Sequence, residues 1–125
     1  MAAPRKILVV DDDRATCAIL AAALKGDGRT VLIAYDAMSG FSMAMRERPD
    51  LIVLDLSMPA GGGFSIHDRM SKIPSLANTP LVVITATDNA VNRERATAIG
   101  AIAFLVKPVN GDELSGVVTA ALNTP

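Results

Sequence analysis

The feature that most constrains this chain is a regular alternation of short apolar runs with segments of helical length. The apolar runs are rich in Val, Ile and Leu, and they are Lys6–Val10, Thr30–Ala34, Leu51–Leu54, Leu81–Ile84 and Ala101–Val106. The segments that follow them have helical length: Arg14–Lys25, Ala37–Arg48, Gly63–Lys72, Asn89–Ile99 and Asp112–Leu122. Five strands that alternate with five helices predict an α/β domain built on a parallel sheet.

The composition of the runs also predicts which strands lie inside the sheet. The first, third and fourth runs are apolar along nearly their whole length, as expected of strands that helices cover on both faces. The second run begins with Thr30, directly after Arg29, which favours an edge position. Breakers such as Gly26, Pro49 and Gly100 separate the segments, and no linker or repeat interrupts the pattern.

The length and charge of the chain limit its possible functions. A chain of 125 residues can bury about two-thirds of its unfolded surface in one core, so it needs neither disulfides nor a structural metal. We expect a single domain over residues 1–125, with an ordered core of about 5–122. The formal net charge is -1, with neither a basic stripe nor clustered aromatic residues, which disfavours direct binding of nucleic acid.

The cellular location is predicted from the cysteine content and the start of the chain. Cys17 is the single cysteine, so no internal disulfide can form, which suits a reducing compartment. The apolar run Cys17–Leu24 is too short to span a bilayer, and residues 1–5 lack a signal-peptide pattern. These features predict a cytoplasmic protein without a membrane partner.

Polar residues that can bind ions or phosphate follow four of the predicted strands. They are Asp11, Asp12 and Asp13 after the first strand, Asp55 after the third, Thr85 after the fourth and Lys107 after the fifth. In an open parallel sheet these strand ends share one edge, which is where ligands bind. Carboxylates at close range repel each other, so this cluster needs separation, a cation or a proton.

The combination of residues at this edge predicts phosphoryl chemistry with a metal ion. Mg²⁺ prefers oxygen ligands and commonly takes one or two carboxylates with waters and a phosphate, so Asp11, Asp12 and Asp55 could hold it. One carboxylate could then attack a phosphoryl group and become an aspartyl phosphate. Lys107, by its charge, and Thr85, by a hydrogen bond, could hold the phosphoryl oxygens.

Four short motifs give the sequence a family resemblance. They are VVDDD at 9–13, VLDLSMP at 53–59, VITAT at 83–87 and FLVKP at 104–108. In this order and spacing they resemble the receiver domains of two-component response regulators, and the resemblance covers essentially the whole chain. It implies a flavodoxin-like sandwich in which a five-stranded parallel sheet, with strand order 2-1-3-4-5, is flanked by five helices.

The resemblance also implies which residues react and which bind the metal. Asp55 corresponds to the family's phosphoacceptor, which becomes the aspartyl phosphate. Asp11 and Asp12 correspond to the residues that hold Mg²⁺, together with Asp55 and the backbone carbonyl of Ser57. The expected cofactor is therefore Mg²⁺.

Other residues of the motifs correspond to groups that contact the phosphate or respond to it. Lys107 is the phosphate-pairing lysine by this resemblance, and its peptide bond to Pro108 is usually cis in the family. Thr85 is the switch hydroxyl, and Phe104 is the switch aromatic. Phosphorylation is thus expected to change the conformation through Thr85 and Phe104.

The function implied by the resemblance is phosphoryl acceptance in a two-component or phosphorelay system. The donor would be the phosphohistidine of a histidine kinase or a histidine phosphotransfer protein, and the switch would control a partner or an output domain. Such a domain is not expected to be an enzyme, beyond self-phosphorylation from small donors and slow autodephosphorylation.

Three other functions fit parts of the sequence. A Mg²⁺-dependent phosphohydrolase would use Asp11 and Asp13, but there is no insert for a substrate-enclosing cap, and Asp13 is better explained as the N-cap of the first helix. A receptor for flavin mononucleotide would need a hydroxyl-rich loop after the first strand to bind the phosphate, but the three aspartates at that position would repel it. A receiver that works unphosphorylated as an interaction module is the third alternative.

Two further features set expectations for the surface. The run SMPAGGGF, from Ser57 to Phe64, is typical of a mobile loop beside Asp55. The first and last helices are poor in charge and rich in Ala, Ser, Thr and Val, and by the expected topology they lie side by side. We hypothesise that this face binds a kinase, a phosphotransfer protein, an output domain or a second copy of the chain; the alternative is a neutral surface.

Overall fold

The computed structural model describes residues 4–26, 28–59 and 62–123, and it contains the predicted alternation of strands and helices. In chain order the elements are β1 (Arg5–Val10), α1 (Arg14–Leu24), β2 (Arg29–Ala34), α2 (Ala37–Glu47), β3 (Leu51–Asp55), α3 (Gly62–Ser71), β4 (Leu81–Thr85), α4 (Ala90–Ala98), β5 (Ala103–Val106) and α5 (Gly111–Leu122). Every predicted boundary lies within two residues of the observed one. None of the helices in these ranges is long and apolar enough to cross a membrane.

The strands form one parallel sheet whose order confirms the predicted fold class. The order is β2-β1-β3-β4-β5, and each neighbouring pair is parallel. The edge position predicted for the second strand is confirmed. The strands predicted to lie inside the sheet, β1, β3 and β4, are buried along nearly their whole length.

The sheet divides the buried side chains into two clusters. The α1/α5 core consists of Ile7, Val9, Cys17, Leu20, Leu24, Leu51, Val53, Val82, Ile84, Leu105, Leu114, Val118 and Leu122. The α2/α3/α4 core consists of Leu8, Val10, Ala34, Ala44, Ile52, Leu54, Leu56, Met58, Ile66, Met70, Leu76, Leu81, Val83 and Ala96. Successive strand residues face opposite sides of the sheet, so each central strand supplies both clusters. Helices α1 and α5 pack against each other, as predicted.

The register of the strands brings their polar ends to one edge. Val10 is paired with Leu54, so the residues that follow them, Asp11 and Asp55, lie at the same level of the sheet. Asp55 is paired in turn with Ile84 of β4. Because the pairing of β4 with β5 continues to the last residue of each strand, Thr85 and Lys107 reach the same edge.

The start of α3 corrects the expectation for the glycine run. Gly63 lies in the third helix as predicted, and Gly62, which was expected in the loop, is also buried in the first turn of α3. Ala60 and Gly61 lie outside the described residues. A Cβ on Gly63 would stand 2.6 Å from the backbone oxygen of Asp55. A glycine is therefore required there by the close approach of the helix to the end of β3.

Candidate functional site

The three aspartates singled out as metal ligands lie together at the carboxyl edge of the sheet. Asp11 and Asp55 are fully buried at the ends of β1 and β3, whereas Asp12 is exposed. Carboxylate oxygens from the three residues lie within 4.8 Å of one another. Asp11 Oδ1 accepts a hydrogen bond from the backbone N–H of Asp13 at 2.9 Å, which fixes the orientation of its carboxylate.

Lys107 brings a positive charge to the two buried carboxylates. Its Nζ lies 2.8 Å from Asp11 Oδ2 and 3.3 Å from Asp55 Oδ2, and it donates a hydrogen bond to the latter. The peptide bond from Lys107 to Pro108 is cis, as the family resemblance implied. One ammonium group thus contacts both buried aspartates.

Burial and charge shift the pKa values of these groups. Burial raises the pKa of Asp55 above its usual value, and the negative charge of Asp11 adds to the rise, while the Ser57 N–H and the Lys107 ammonium oppose it. Burial alone would lower the pKa of Lys107, but its contact with Asp11 and the charge of Asp55 outweigh that effect, so its pKa is raised. The lysine therefore keeps its charge, and Asp55 is harder to ionise than an exposed aspartate.

The residues at this edge fit a divalent metal ion of the Mg²⁺ type. Carboxylates are the hard oxygen ligands that Mg²⁺ prefers. Asp11 Oδ2 is buried and contacts the Lys107 ammonium at 2.8 Å, a group that it shares with Asp55. One ammonium balances one negative charge, so two ionised carboxylates beside it leave an excess that a further cation would balance. Asp11, Asp12 and Asp55 could all ligate such an ion.

Asp13 has a different task from its neighbours. Its side chain caps α1, where Oδ1 accepts hydrogen bonds from the backbone N–H groups of Ala15 and Thr16. The Thr16 hydroxyl donates to Oδ2 at 2.9 Å, and this bond is the main reason that the pKa of Asp13 is lowered. The predicted N-cap is confirmed. Both carboxylate oxygens of Asp13 accept hydrogen bonds from the first turn of α1, which disfavours the use of Asp13 by a phosphohydrolase.

Ser57 and Thr85 connect the ends of β3 and β4. The backbone N–H of Ser57 donates to Asp55 Oδ1 at 2.7 Å, and the hydroxyl oxygens of Ser57 and Thr85 lie 3.1 Å apart. The backbone N–H of Ala86 donates to Ser57 Oγ at 2.9 Å, and that of Thr87 donates to Thr85 Oγ1 at 3.1 Å. The sequence assigns the backbone carbonyl of Ser57 to the metal, and the family resemblance implies that Ser57 and Thr87, two residues beyond Asp55 and Thr85, flank the phosphorylation site and help to set the hydrolysis rate. The contacts of the Ser57 hydroxyl itself were not predicted.

Phe104 lies half-buried in β5 and packs against the α2/α3/α4 core. The guanidinium carbon of Arg93 is 4.7 Å from the centre of its ring. Arg93 also donates two hydrogen bonds to the carboxylate of Asp88, at 2.7 Å and 3.0 Å, which lower the pKa of Asp88. Arg93 was missed by the sequence analysis, because no motif marks it and its contact depends on how α4 is rotated.

The sequence of this chain is similar to those of known response regulators. The sequence model of the response regulator receiver domain matches residues 7–119. The chain is 37% identical over 105 residues to Response regulator PleD of Caulobacter vibrioides, a match that covers 84% of this chain and 23% of PleD. It is 30% identical over 117 residues to Protein PilH of Pseudomonas aeruginosa, covering 94% of this chain and 97% of PilH. The chain therefore spans less than a quarter of one relative and nearly all of the other.

Solved structures show the same architecture. The signal receiver domain of a DNA-binding response regulator from Colwellia psychrerythraea superimposes with a TM-score of 0.88 at 27% identity, covering 96% of this chain and 99% of that one. Chemotaxis protein CheY4 of Vibrio cholerae gives a TM-score of 0.86 at 27% identity, covering 95% and 99%.

Proposed function

This chain belongs to the response regulator receiver domain family, and we propose on that basis that Asp55 accepts a phosphoryl group from a phosphohistidine donor with the help of Mg²⁺. The observation that carries the proposal is the position of Asp55. Its carboxylate is fully buried, lies within 4.8 Å of the carboxylates of Asp11 and Asp12, and contacts the Lys107 ammonium. Residues 1–125 would form one receiver domain, and the cytoplasmic location stays a prediction.

The buried carboxylate of Asp55 supplies the nucleophile. One of its oxygens forms a bond to phosphorus while the bond from phosphorus to the imidazole nitrogen of the donor breaks. The electron pair of that bond stays on the nitrogen, which takes a proton from water. Bound Mg²⁺, held by Asp11, Asp12, Asp55 and the Ser57 carbonyl, would neutralise negative charge on the carboxylates and the phosphoryl oxygens.

Lys107 and Thr85 would bind the phosphoryl group after transfer. The Lys107 ammonium already lies 3.3 Å from Asp55 Oδ2, so it can pair with an oxygen of the new phosphate. Thr85 is buried at the end of β4, and its hydroxyl can turn towards the phosphate and donate a hydrogen bond. Asp55 and Thr85 lie on neighbouring strands, which brings phosphate and hydroxyl into range.

The conformational response would run from Thr85 to Phe104. Phe104 is paired with Val83, and Val83 lies two residues before Thr85 in β4. Since side chains two residues apart in a strand face the same side of the sheet, Phe104 and Thr85 share one face. A shift of the Thr85 hydroxyl opens space that the ring of Phe104 can enter. Such a switch is a change of populations, and coupling between two sites of this kind is typically about 1–3 kcal/mol.

The proposed partner surface adjoins the site. Ile19 of α1 is 60% exposed and lines a cleft with Pro108 and Val109, next to Lys107. A phosphohistidine must reach Asp55 from this edge, so its carrier would rest on α1. Ala18, which precedes Ile19 on α1, is also exposed and lines a neighbouring cleft with Lys25 and Arg29.

Charges placed on this face should block the partner. Ala18→Glu combined with Ala121→Glu is expected to slow phosphotransfer from a histidine phosphotransfer protein at least tenfold, because the donor helices would have to bury two carboxylates. Phosphorylation by acetyl phosphate should be unchanged. Ala98→Glu on the exposed side of α4 is the matched control. If the double variant matches the wild type in phosphotransfer rate and oligomer mass, the face is only a neutral surface.

The phosphoacceptor can be located by chemical trapping. The protein is incubated with acetyl phosphate and Mg²⁺ and then reduced with borohydride, which converts an acyl phosphate of aspartate to homoserine. Peptide mass spectrometry is expected to find homoserine at position 55, and none when EDTA replaces Mg²⁺. Homoserine at position 11 or 12 would overturn the assignment. Absence of the product, with binding partners retained, would favour an unphosphorylated interaction module, and turnover of a generic phosphate ester would favour a phosphohydrolase.

A further inference from the structure

The hydroxyl of Ser57 lies where the ends of two strands meet. Ser57 follows the proposed phosphoacceptor by two residues, and its own N–H is bonded to Asp55 Oδ1 at 2.7 Å. Its Oγ accepts a hydrogen bond from the N–H of Ala86 at 2.9 Å and lies 3.1 Å from Thr85 Oγ1. One exposed serine hydroxyl therefore contacts two polar groups at the end of β4.

Both of those groups are donors that a phosphate on Asp55 could use. The Ala86 N–H follows the last residue of β4, and Thr85 carries the hydroxyl proposed to bind phosphate. The Thr85 proton has two possible acceptors, Ser57 Oγ at 3.1 Å and the backbone oxygen of Thr87 at 3.3 Å. In this state both donors of the β4 end have acceptors within the protein.

A phosphoryl group on Asp55 would bring competing acceptors to the same place. Its oxygens are charged, and hydrogen bonds to charged acceptors are stronger than those to a neutral hydroxyl. The Ala86 N–H can turn to the phosphate only when it leaves Ser57 Oγ, and the Thr85 hydroxyl can do so only when its proton leaves Ser57 Oγ or the Thr87 oxygen. Because Ser57 is exposed, its side chain can rotate towards water and leave no buried cavity.

We infer that the Ser57 hydroxyl holds the end of β4 in the resting conformation and that the phosphoryl group must displace it. Ser57 is thus a positioning residue that opposes phosphorylation by stabilising the unphosphorylated arrangement. The inference rests on the proposed function, because it assumes that Asp55 receives the phosphoryl group. It concerns the side chain of Ser57, whereas the proposed metal site uses only its backbone carbonyl.

The affinity for a phosphoryl mimic tests this role. Beryllofluoride in the presence of Mg²⁺ is titrated calorimetrically into the wild type, Ser57→Ala and Ser57→Thr. Ser57→Ala is expected to bind about threefold to fivefold more tightly, which is the change given by the loss of roughly one neutral hydrogen bond from the resting state. Ser57→Thr keeps the hydroxyl and should restore the wild-type constant. Ser65→Ala, at an exposed serine of α3, is the matched control.

Two measurements separate this role from a general structural effect. The affinity for Mg²⁺ alone should be equal in the wild type and Ser57→Ala, because the substitution keeps the backbone carbonyl. In the metal-free protein, the amide hydrogen of Ala86 should exchange faster in Ser57→Ala, since its acceptor is gone. Neither result depends on phosphorylation.

The outcomes distinguish the inference from the function on which it rests. If the wild type binds beryllofluoride but Ser57→Ala binds it equally or more weakly, the inference is wrong and the proposed function stands. A wild type that binds Mg²⁺ but no beryllofluoride would remove the proposed function, and the inference with it. Unchanged exchange at Ala86 would show that the hydroxyl does not hold the end of β4, which also overturns the inference.

Discussion

The two ends of the sheet both carry charged side chains in contact, but water reaches them to different degrees. At the amino end, Lys6 lies 3.2 Å from Glu47, and Arg5 lies 3.8 Å from Asp50. Each acid there has at least one basic partner, and between 28% and 53% of each of these side chains is exposed. These contacts are ordinary surface ion pairs, which contribute little to stability.

At the carboxyl end two of the three carboxylates are buried, and the positive and negative charges are unequal in number. A single ammonium, that of Lys107, contacts the carboxylates of Asp11 and Asp55, both of them fully buried, and Asp12 stands beside them. An excess of buried negative charge destabilises the folded state unless a cation binds beside it. The candidate site thus differs from the amino end of the sheet in burial and in the balance of charge, rather than in the presence of charged residues.

The largest expected difference between the two ends is in phosphoryl acceptance. Asp55→Asn removes the proposed nucleophile and should abolish labelling by acetyl phosphate and Mg²⁺. Asp50→Asn changes an aspartate of the amino end in the same way and should leave labelling intact. Intact-protein mass spectrometry measures both variants. Acid-labile label that persists in Asp55→Asn would mean that another residue is the acceptor.

The next difference is in stability without metal. Lys107→Ala leaves the buried carboxylates of Asp11 and Asp55 without their counterion and should lower the free energy of unfolding by about 3 kcal/mol. Urea denaturation in EDTA measures this change. Saturating Mg²⁺ should recover part of the loss, because the ion replaces the missing positive charge. A variant as stable as the wild type in EDTA would show that the lysine does not balance the aspartates.

A smaller difference concerns pH, and its sign is opposite at the two ends. The pKa of Asp55 is raised above 3.8, so the folded state holds its proton more tightly, and this group costs stability as pH rises through the folded-state pKa. The pKa of Glu47 is lowered below 4.5, mainly by hydrogen bonds from Arg46 and Lys6. The ionised Glu47 side chain therefore stabilises the folded state above pH 4.5, and this contribution is lost as pH falls through its folded-state pKa.

Urea midpoints of the metal-free protein from pH 3 to pH 7 test these signs. Relative to the wild type, Asp55→Asn should become more stable as pH rises, and Glu47→Gln should become less stable. The slope for Asp55→Asn is expected to be the steeper of the two, because Glu47 is partly exposed and screened by solvent, whereas Asp55 is fully buried. Slopes of the same sign would contradict the contrast between the ends.

The smallest effect is expected from the amino end alone. Lys6→Gln removes the contact with Glu47, yet the unfolding midpoint should move only near the limit of measurement. Labelling by acetyl phosphate should equal that of the wild type. A large loss of stability would show that the Lys6 pair is not an ordinary surface contact, and the comparison of the two ends would need revision.

Much of the fold was predictable from the sequence because strand and helix patterns are local. The beginning of β5 was placed two residues too early, at Ala101, since an apolar run does not reveal hydrogen bonds. The N–H of Ala101 donates to the oxygen of Ala96 in α4, which keeps Ala101 at the end of that helix. The exact start of a strand depends on backbone hydrogen bonds, which the composition of an apolar run does not reveal.

The site was predictable as a set of strand ends, but its internal contacts were not. The topology brings Asp11, Asp55 and Lys107 to one edge, and the structure places them there. The contact of the Ser57 and Thr85 hydroxyls joins residues 28 positions apart. The ring contact of Arg93 similarly depends on the rotation of a helix about its axis. Both need the orientation of individual side chains, which no spacing in the sequence specifies.

The close approach of α3 to the end of β3 has a consequence for sequence variation in this chain. In a saturation library, position 63 should return only Gly, because any larger side chain would collide with the Asp55 carbonyl, 2.6 Å from a Cβ. Position 116, with nothing within 4 Å of a Cβ, should accept Ala and most other residues. Two glycines that the sequence does not distinguish therefore differ in the number of amino acids that each position tolerates.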